Sequence, residues 1–372
     1  MSIELNGTTG IQFNDGSDQS TAATPYGRKN LIINGDMRIA QRGTSVSGIT
    51  SGQACHSVDR FNNNVNIVGT WTVSQDTDVP SGQGFSNSFK MQCTTANASL
   101  SAASVLQFSQ LMEGQNLQHL KYGTANAEKV TCSFWVKSNK TGTYVGRLYT
   151  PSPTKASHIT FTIDSSDTWE KKTLTFNGDT STTLVNSNAE GFRFTIWLAA
   201  GSNFTSGTQD GNNWVSYTGA NSAVALTVNL ADSTSNYINI TGVQLEVGEG
   251  ASDFEFLPYD VQLQRCERYF QKCGFWNGCG NSSTAWLGVV SAHTTMRTSP
   301  SVGQTGVLQL SDFYAIDATQ SATSVAILNS NNTTLSICIW IFNFSGLVGG
   351  KYYGGIRAAG GIGNYITLSA EL

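Results

Sequence analysis

Two stretches of alternating residues carry side chains suited to holding a sugar. In VTCSFWVKS, Val130, Cys132, Phe134 and Val136 fall on one face of an extended chain, and Thr131, Ser133, Trp135 and Lys137 on the other. In GFRFTIWLAAG, Phe192, Phe194, Ile196 and Leu198 share a face, with Arg193, Thr195 and Trp197 opposite. A flat indole stacks on the C–H face of a pyranose while a neighbouring cation donates to hydroxyls. Trp135 with Lys137, and Trp197 with Arg193, are therefore glycan candidates. The same rings fit equally well under a loop or a neighbouring subunit. Trp214, in the Asn-rich DGNNWVSYTG, is a further candidate. Trp276, Trp286, Tyr352 and Tyr353 are distal ones, with packing as the default role.

Catalytic constellations are sparse. Glycoside hydrolysis needs two carboxylates about 5–10 Å apart. DSSDTWE supplies Asp164, Asp167 and Glu170, but in an interstrand turn, where solvated acids are ordinary. Cys55 and His56 are chain neighbours, and neighbours on a strand point apart, which argues against a nucleophile pair. His119, His158 and His293 are scattered, without an H-E-x-x-H pattern, and GLVGGK lacks the spacing of a phosphate loop. Asp59-Arg60 in SVDRF reads as an intradomain ion pair. The expectation is a non-enzymatic protein.

The 372-residue chain has 38 glycines and only 12% charged residues. Low charge with abundant Gly, Ser, Thr and Asn predicts many short strands joined by tight turns, an all-β protein. A net charge of −4 and the lack of a Lys/Arg run argue against a nucleic-acid partner. The longest apolar run, Leu335 to Val348, is broken by Ser336, Asn343 and Ser345, short of the roughly 18 residues of a membrane helix, so no membrane insertion is expected. The start, Met1 to Asn6, lacks the basic and apolar regions of a secretory signal. Seven dispersed cysteines without a C-x-x-C pair read as reduced thiols in β cores.

Residues 1–29 are too polar to bury a core and read as a tether that docks onto something larger. NLIINGDMRIAQRGTS, from Asn30 to Ser45, reads as two short strands reversed at Asn34-Gly35-Asp36. From 30 to 257 half-buried strands alternate with turn clusters, predicting a two-sheet antiparallel sandwich, most simply a jelly roll. Its strands include HITFTID and AVALTVNL, the latter placing Val224, Leu226, Val228 and Leu230 on a core face. One short helix is plausible near Leu106 to Leu120. Leu263, Cys266, Phe270 and Cys273 are spaced as one helical stripe, which predicts a connecting helix within 258–273, starting after Asp260 as N-cap. Residues 274–372 return to β character and form a second domain. In it LSICIWIFNF is apolar on both faces, as at a core or a subunit interface.

Several of these stretches, taken in order, resemble a family of bacteriophage and prophage tail-fibre or receptor-binding proteins. They are NLIINGDMRIAQRGTS, SVDRF, QLMEG, VTCSFWVKSNKTGTY, TWEKKTLTFNGDTS, AGSNF and ITGVQLEVGEGASDFEFLPYDVQLQRCERYFQK, spanning roughly residues 30–272. The resemblance implies a carbohydrate-binding-module-like jelly roll on a virion fibre, usually homotrimeric, assembled in the bacterial host cytoplasm. GTTGIQFNDGSDQSTAA is similar to the leaders that attach such proteins to other virion proteins, so residues 1–29 would be the attachment segment. The last hundred residues would form a distal tip or trimerisation domain, and the partner would be a host cell-surface polysaccharide. Related carbohydrate modules often hold calcium between the first hairpin and the last strand, where Asp36 and Glu246 fall. Two other readings share parts of this pattern: a capsid decoration or head-fibre protein, and the carbohydrate-binding module of a bacterial glycanase.

Overall fold

The computed structural model describes residues 29–273 without a break. Beyond them it describes 277–280, 282, 284–305, 308–312, 315–322, 324–327, 336–342, 347, 352–356 and 365–372. Within 1–28 it describes three short strands, β1 (Glu4–Asn6), β2 (Gly10–Gln12) and β3 (Asp18–Gln19), in one antiparallel ladder. Among the described residues no helix is long and apolar enough to cross a membrane.

The main body is an all-antiparallel sandwich, as the alternation predicts. Its strands are β4 (Ser45–Ala54), β5 (Asn62–Asp76), β6 (Ser88–Thr95), β7 (Val105–Glu113), β8 (Val130–Ser138) and β9 (Gly142–Pro151). They continue with β10 (Thr154–Ile163), β11 (Glu170–Phe176), β12 (Glu190–Ala200), β13 (Val215–Ser216) and β14 (Tyr237–Val247). Hydrogen bonding runs unbroken through the order β11-β8-β14-β6-β5-β7-β12-β9-β10-β13, with β4 beside β5. The sheet nevertheless makes two leaves, because β5 bends. Asn62–Asn66 pair with β7 in leaf II, and Thr70–Asp76 pair with β6 in leaf I. The bend sits at Ile67 and Gly69, with φ of 53° and 80°. A Cβ on Gly69 would stand 1.9 Å from the Thr95 carbonyl oxygen, so the fold-over needs glycine there.

Folding the leaves together buries the apolar face of each strand. Phe134 on β8 meets Phe161 on β10 edge-on, with centroids 5.2 Å apart, and Phe89 on β6 meets Phe108 on β7 at 4.9 Å. Each such ring removed from water contributes about 2–3 kcal/mol. Cys55, Cys93 and Cys132 are buried free thiols of the same body.

Four expectations of secondary structure are corrected. The Asn30–Ser45 segment turns at Asn34 to Met37 but forms no strands before Ser45; it is an irregular plug. Asn34, at φ 63°, serves as its own scaffold: its amide donates to the Ile39 and Asp59 carbonyls at 2.9 and 3.0 Å and accepts from the Ile39 N–H at 3.0 Å. Side-chain bonding to nearby backbone replaces the ladder a hairpin would use. Residues 106–113 lie in strand β7, buried at every position, and only Gly114–Asn116 and Gln118–Leu120 turn as 3-10 helices. Residues 224–230 form no strand; Val228 and Leu230 reach the core from an irregular segment.

The connecting helix is the fourth correction. Helix α2 covers only Tyr259–Glu267, capped by Pro258 with Asp260 in its first turn; the shorter α1 (Ser202–Thr205) precedes it. Phe270–Cys273, expected to continue the helix, form strand β15 and pair with β24 (Tyr365–Ser369). A tertiary partner outweighs the helical spacing, because a paired strand satisfies the same backbone groups.

The second β region comprises β15, β24 and β18 (Ser301–Thr305) in one sheet. A second sheet holds β16 (Asn277–Gly280), β17 (Ala285–Ser291), β19 (Leu308–Asp312), β20 (Ala315–Ala322), β21 (Ser324–Ile327), β22 (Ser336–Phe342) and β23 (Tyr352–Ile356). β22, the strand apolar on both faces, lies between β17 and β21.

Charged residues join this region to the sandwich. Arg268 forks onto Glu113 at 2.7 and 2.8 Å, and the Tyr269 hydroxyl donates to the same carboxylate at 2.5 Å. Burial pushes the Glu113 pKa up, but these donors outweigh it and hold the carboxyl below its usual value. Asp59 and Arg60 do not pair with each other, contrary to expectation. Asp59 accepts from the Gln41 N–H at 3.0 Å and sits 3.5 Å from Arg42, while Arg60 pairs with Glu371 and lies 3.4 Å over the Tyr269 ring.

Candidate functional site

Leaf II presents an outer face on β5, β7, β12, β9 and β10. Strand register lines up Asn62, Ser109, Thr195, Arg147 and His158 in a single row across those five strands. One row away lie Arg193 and Tyr149, paired across β12 and β9; on the other side lie Trp197 and Val145. The alternation that sends Tyr144 and Leu148 into the core sends Val145, Arg147 and Tyr149 to this face.

Residues 201–226 fold back over the Trp197 side. Phe204 rests on Trp197 with centroids 5.2 Å apart, and Ala223 and Leu226 complete the contact. Trp197 is 1% exposed, so its ring has no face to offer. The covering reading is the one the geometry fits. Toward Tyr149 the cover thins: Tyr149 and Tyr217 are half-buried and meet edge-on at 5.2 Å.

Beneath those two rings lies Arg147, 4% exposed. Its guanidinium is 5.4 Å from the Tyr149 centroid and 5.5 Å from those of Trp197 and Tyr217. One nitrogen reaches Thr195 Oγ1 at 3.3 Å; Nε has no partner, and among the described residues no carboxylate pairs with it. Burial pulls its pKa below the usual arginine value. Two more buried polar atoms on this face lack partners: Trp197 Nε1 and His158 Nε2. His158 Nδ1 bonds the Asp210 carboxylate, which assigns the proton to Nδ1 and leaves Nε2 as an acceptor. An unsatisfied buried polar group costs about 1–3 kcal/mol, so three close together mark a place where the fold forgoes stability. Beside them a cleft of about 280 Å³, lined by His158, Thr160, Asn212, Asn221 and Val145, opens toward β11.

The remaining sequence candidates have different surroundings. Trp135 is half-buried on the outer face of leaf I and lines a groove of about 330 Å³. Lys137, on the same face, is held by Asp78 at 2.7 Å. Arg193 is forked onto Glu190 at 2.8 and 2.9 Å beside Tyr149. Trp214 packs on Phe192 at 5.8 Å and donates to the Asn177 carbonyl at 2.6 Å, a core role. The side chains of Trp276, Trp286, Tyr352 and Tyr353 lie outside the described residues.

Asp36 and Glu246 are each engaged separately. Asp36 pairs with Arg38; burial raises its pKa and Arg38 opposes the rise. Glu246 accepts from Gln244 Nε2 at 2.8 Å, the Ser252 N–H at 2.9 Å and Ser252 Oγ at 2.6 Å. These donors occupy both oxygens of Glu246 and Arg38 occupies one of Asp36, whose other oxygen, Oδ1, is buried without a partner. Among the described residues no group of three or more His, Cys, Asp or Glu side chains is placed to hold a metal ion.

The acids of DSSDTWE serve their turn. Glu170 accepts from the N–H groups of Asp164 and Ser165 at 3.0 and 2.8 Å, and Tyr237 donates to Asp167 at 2.5 Å. Cys55 and His56 point to different partners, Asn62 and Asn63. A cleft of about 630 Å³ lies between β7 and α2, but its one carboxylate, Glu113, is consumed by Arg268, Tyr269 and Gln115.

Arg147, Tyr149, His158 and Tyr217 were missed in the sequence. The available signal was an arginine on the non-core face of GTYVGRLYTP, with a tyrosine two residues on.

No protein-family model and no curated protein matches the chain. Among solved structures, the enzymatically active domain of tailspike protein 4 of bacteriophage CBA120 is similar over 59% of this chain and 21% of its own, at 14% identity and a TM-score of 0.31. A CBM4 structure is similar over 47% of this chain and 78% of its own, at 12% identity and a TM-score of 0.25. A sugar-binding protein from Bacteroides thetaiotaomicron is similar over 59% of this chain and 100% of its own, at 10% identity and a TM-score of 0.33. The chain thus spans about a fifth of the length of the tailspike domain.

Proposed function

We propose that the chain is a non-enzymatic phage virion protein, a tail fibre or receptor-binding protein, that holds a host-surface glycan on the outer face of leaf II. The observation that carries this reading is Arg147: a buried cation without a carboxylate, under two tyrosine rings that reach solvent. A saccharide rich in acceptor oxygens, a uronate or other acidic sugar foremost, would supply what Arg147 lacks while its C–H face lies on Tyr149 or Tyr217. Asn62, Ser109 and Thr195, all buried, complete the polar row beside Arg147. Residues 1–29 attach the protein to the virion, and association into a homotrimer multiplies weak single-site affinity into stable adsorption.

The test is binding of the purified chain to a panel of immobilised bacterial surface polysaccharides, comparing the natural protein with Arg147→Met, alongside its molar mass by light scattering. Retention of at least one acidic polysaccharide, lost in Arg147→Met, together with a trimer mass, is the expected result. Binding of every retained acidic polysaccharide that Arg147→Met leaves intact removes the leaf II site, and a monomer that persists at all concentrations removes the trimer.

A further inference from the structure

The opposite outer face, on leaf I, carries a groove built from different chemistry. Trp135 on β8 stands directly across from Lys171 on β11. Phe85, Phe254 and Phe256 form a three-ring cluster at its other wall, with centroids 4.9 to 5.2 Å apart. Phe256 is 48% exposed, an unusual exposure for a ring already packed against two others. Gly242, at φ 63°, lets Phe85 sit low: a Cβ there would stand 2.6 Å from the ring. The groove of about 330 Å³ therefore has aromatic walls held in place by their own packing.

Its polar groups are a cation and an anion. Lys171 and Asp253 both line the groove and both are exposed. Among the described residues the Asp253 carboxylate and the Lys171 ammonium make no ion pair, whereas neighbouring Lys172 and Lys137 are both paired. An aromatic wall, one free carboxylate acceptor and one free ammonium donor complement a neutral pyranose: the ring C–H groups meet the indole, a vicinal diol donates to Asp253, and a hydroxyl or ring oxygen accepts from Lys171. The opposite charges offset each other, so an added ligand charge gains nothing. Leaf II, with its uncompensated Arg147, has the contrary preference.

We propose that the Trp135 groove is a second saccharide site, selective for neutral hexopyranose units, on the face opposite Arg147. It shares a ligand class with the proposed function and stands on different residues. Two sites of unlike preference would let one subunit engage a heteropolysaccharide through both a neutral and an acidic unit, raising avidity without new contacts.

The experiment is a titration of the nitrogen-15-labelled full chain with methyl β-D-glucopyranoside, methyl β-D-galactopyranoside, methyl α-D-mannopyranoside and methyl β-D-glucopyranosiduronate. The indole N–H signals are followed, and that of Trp135 is assigned by its loss in Trp135→Phe. At least one neutral glycoside is expected to shift the Trp135 signal with millimolar affinity. The affinity should fall at least tenfold in Lys171→Ala and in Phe256→Ala, both of exposed residues, and be unchanged in Arg147→Met. If no glycoside moves the Trp135 signal, or only the uronide does, the second site is overturned. Shifts abolished by Arg147→Met alone overturn it while leaving the proposed function standing. Shifts sensitive to Lys171 and Phe256 but not to Arg147 support it even if the leaf II reading fails.

Discussion

Arg147 and His158 face each other across β9 and β10, and each keeps a buried nitrogen without a partner. Two adjacent orphans on one register pair are not what packing alone would select, since a hydrophobic pair of the same volume would cost less. This pair sets the first prediction.

Arg147→Met removes an uncompensated cation and keeps the bulk of the side chain. Its unfolding midpoint in urea should rise, by about 1 kcal/mol of stability, while binding of acidic saccharides at the leaf II face is lost. A drop of similar size would mean that the three surrounding rings repay the burial of the charge.

Trp197→Ala should behave as a core truncation. With its ring beneath Phe204 and Ala223, the loss is about 3–5 kcal/mol in equilibrium unfolding. A loss below about 1 kcal/mol would return Trp197 to the list of surface platforms.

Burial pushes the Asp59 pKa to about 6 from 3.8, against the pull of Arg42 and with Glu371 adding to the rise. The folded state therefore holds the proton more tightly than the unfolded chain. The resulting stability, on the order of 3 kcal/mol at most, is complete below about pH 4 and lost as pH rises through 6. Glu113, whose pKa is lowered, acts in the opposite sense and below that window. Stability measured from pH 7 down to pH 5 should increase, and Asp59→Asn should flatten the curve; an unchanged slope in the variant would assign it to other groups.

Gly69→Ala places a Cβ against the Thr95 carbonyl at a backbone angle of φ 80°. It should cost about 3 kcal/mol or more, seen as a lower thermal midpoint, because the bend that divides the two leaves cannot relax without breaking the pairing of β5 with β6. Gly82→Ala, also at positive φ but with nothing nearby, should cost only about 1 kcal/mol and serves as the control.

Alternation by itself determined the sandwich. Phe134, Phe161, Phe194 and Leu174 are core residues because a pleated strand has no other way to bury them, and a period of two is legible in any ten residues. It also determined that Trp135 and Trp197 point away from that core. What it could not determine was what lies over them. Residues 201–226 close on Trp197 and leave Trp135 in an open groove, a difference made by how an irregular segment with no periodic signal folds back. The same holds for the helix that ends at Glu267: the spacing of Phe270 and Cys273 suits a helix, but β24 arrives almost a hundred residues later and claims their backbone. The Arg147 site is the clearest case. A lone arginine in a strand reads as an ordinary surface charge until strand register sets it between Thr195 and His158, under two rings and, among the described residues, paired with no carboxylate. Local periodicity encodes which face a side chain takes. Cover, partner and charge balance are non-local, and only the tertiary structure decides them.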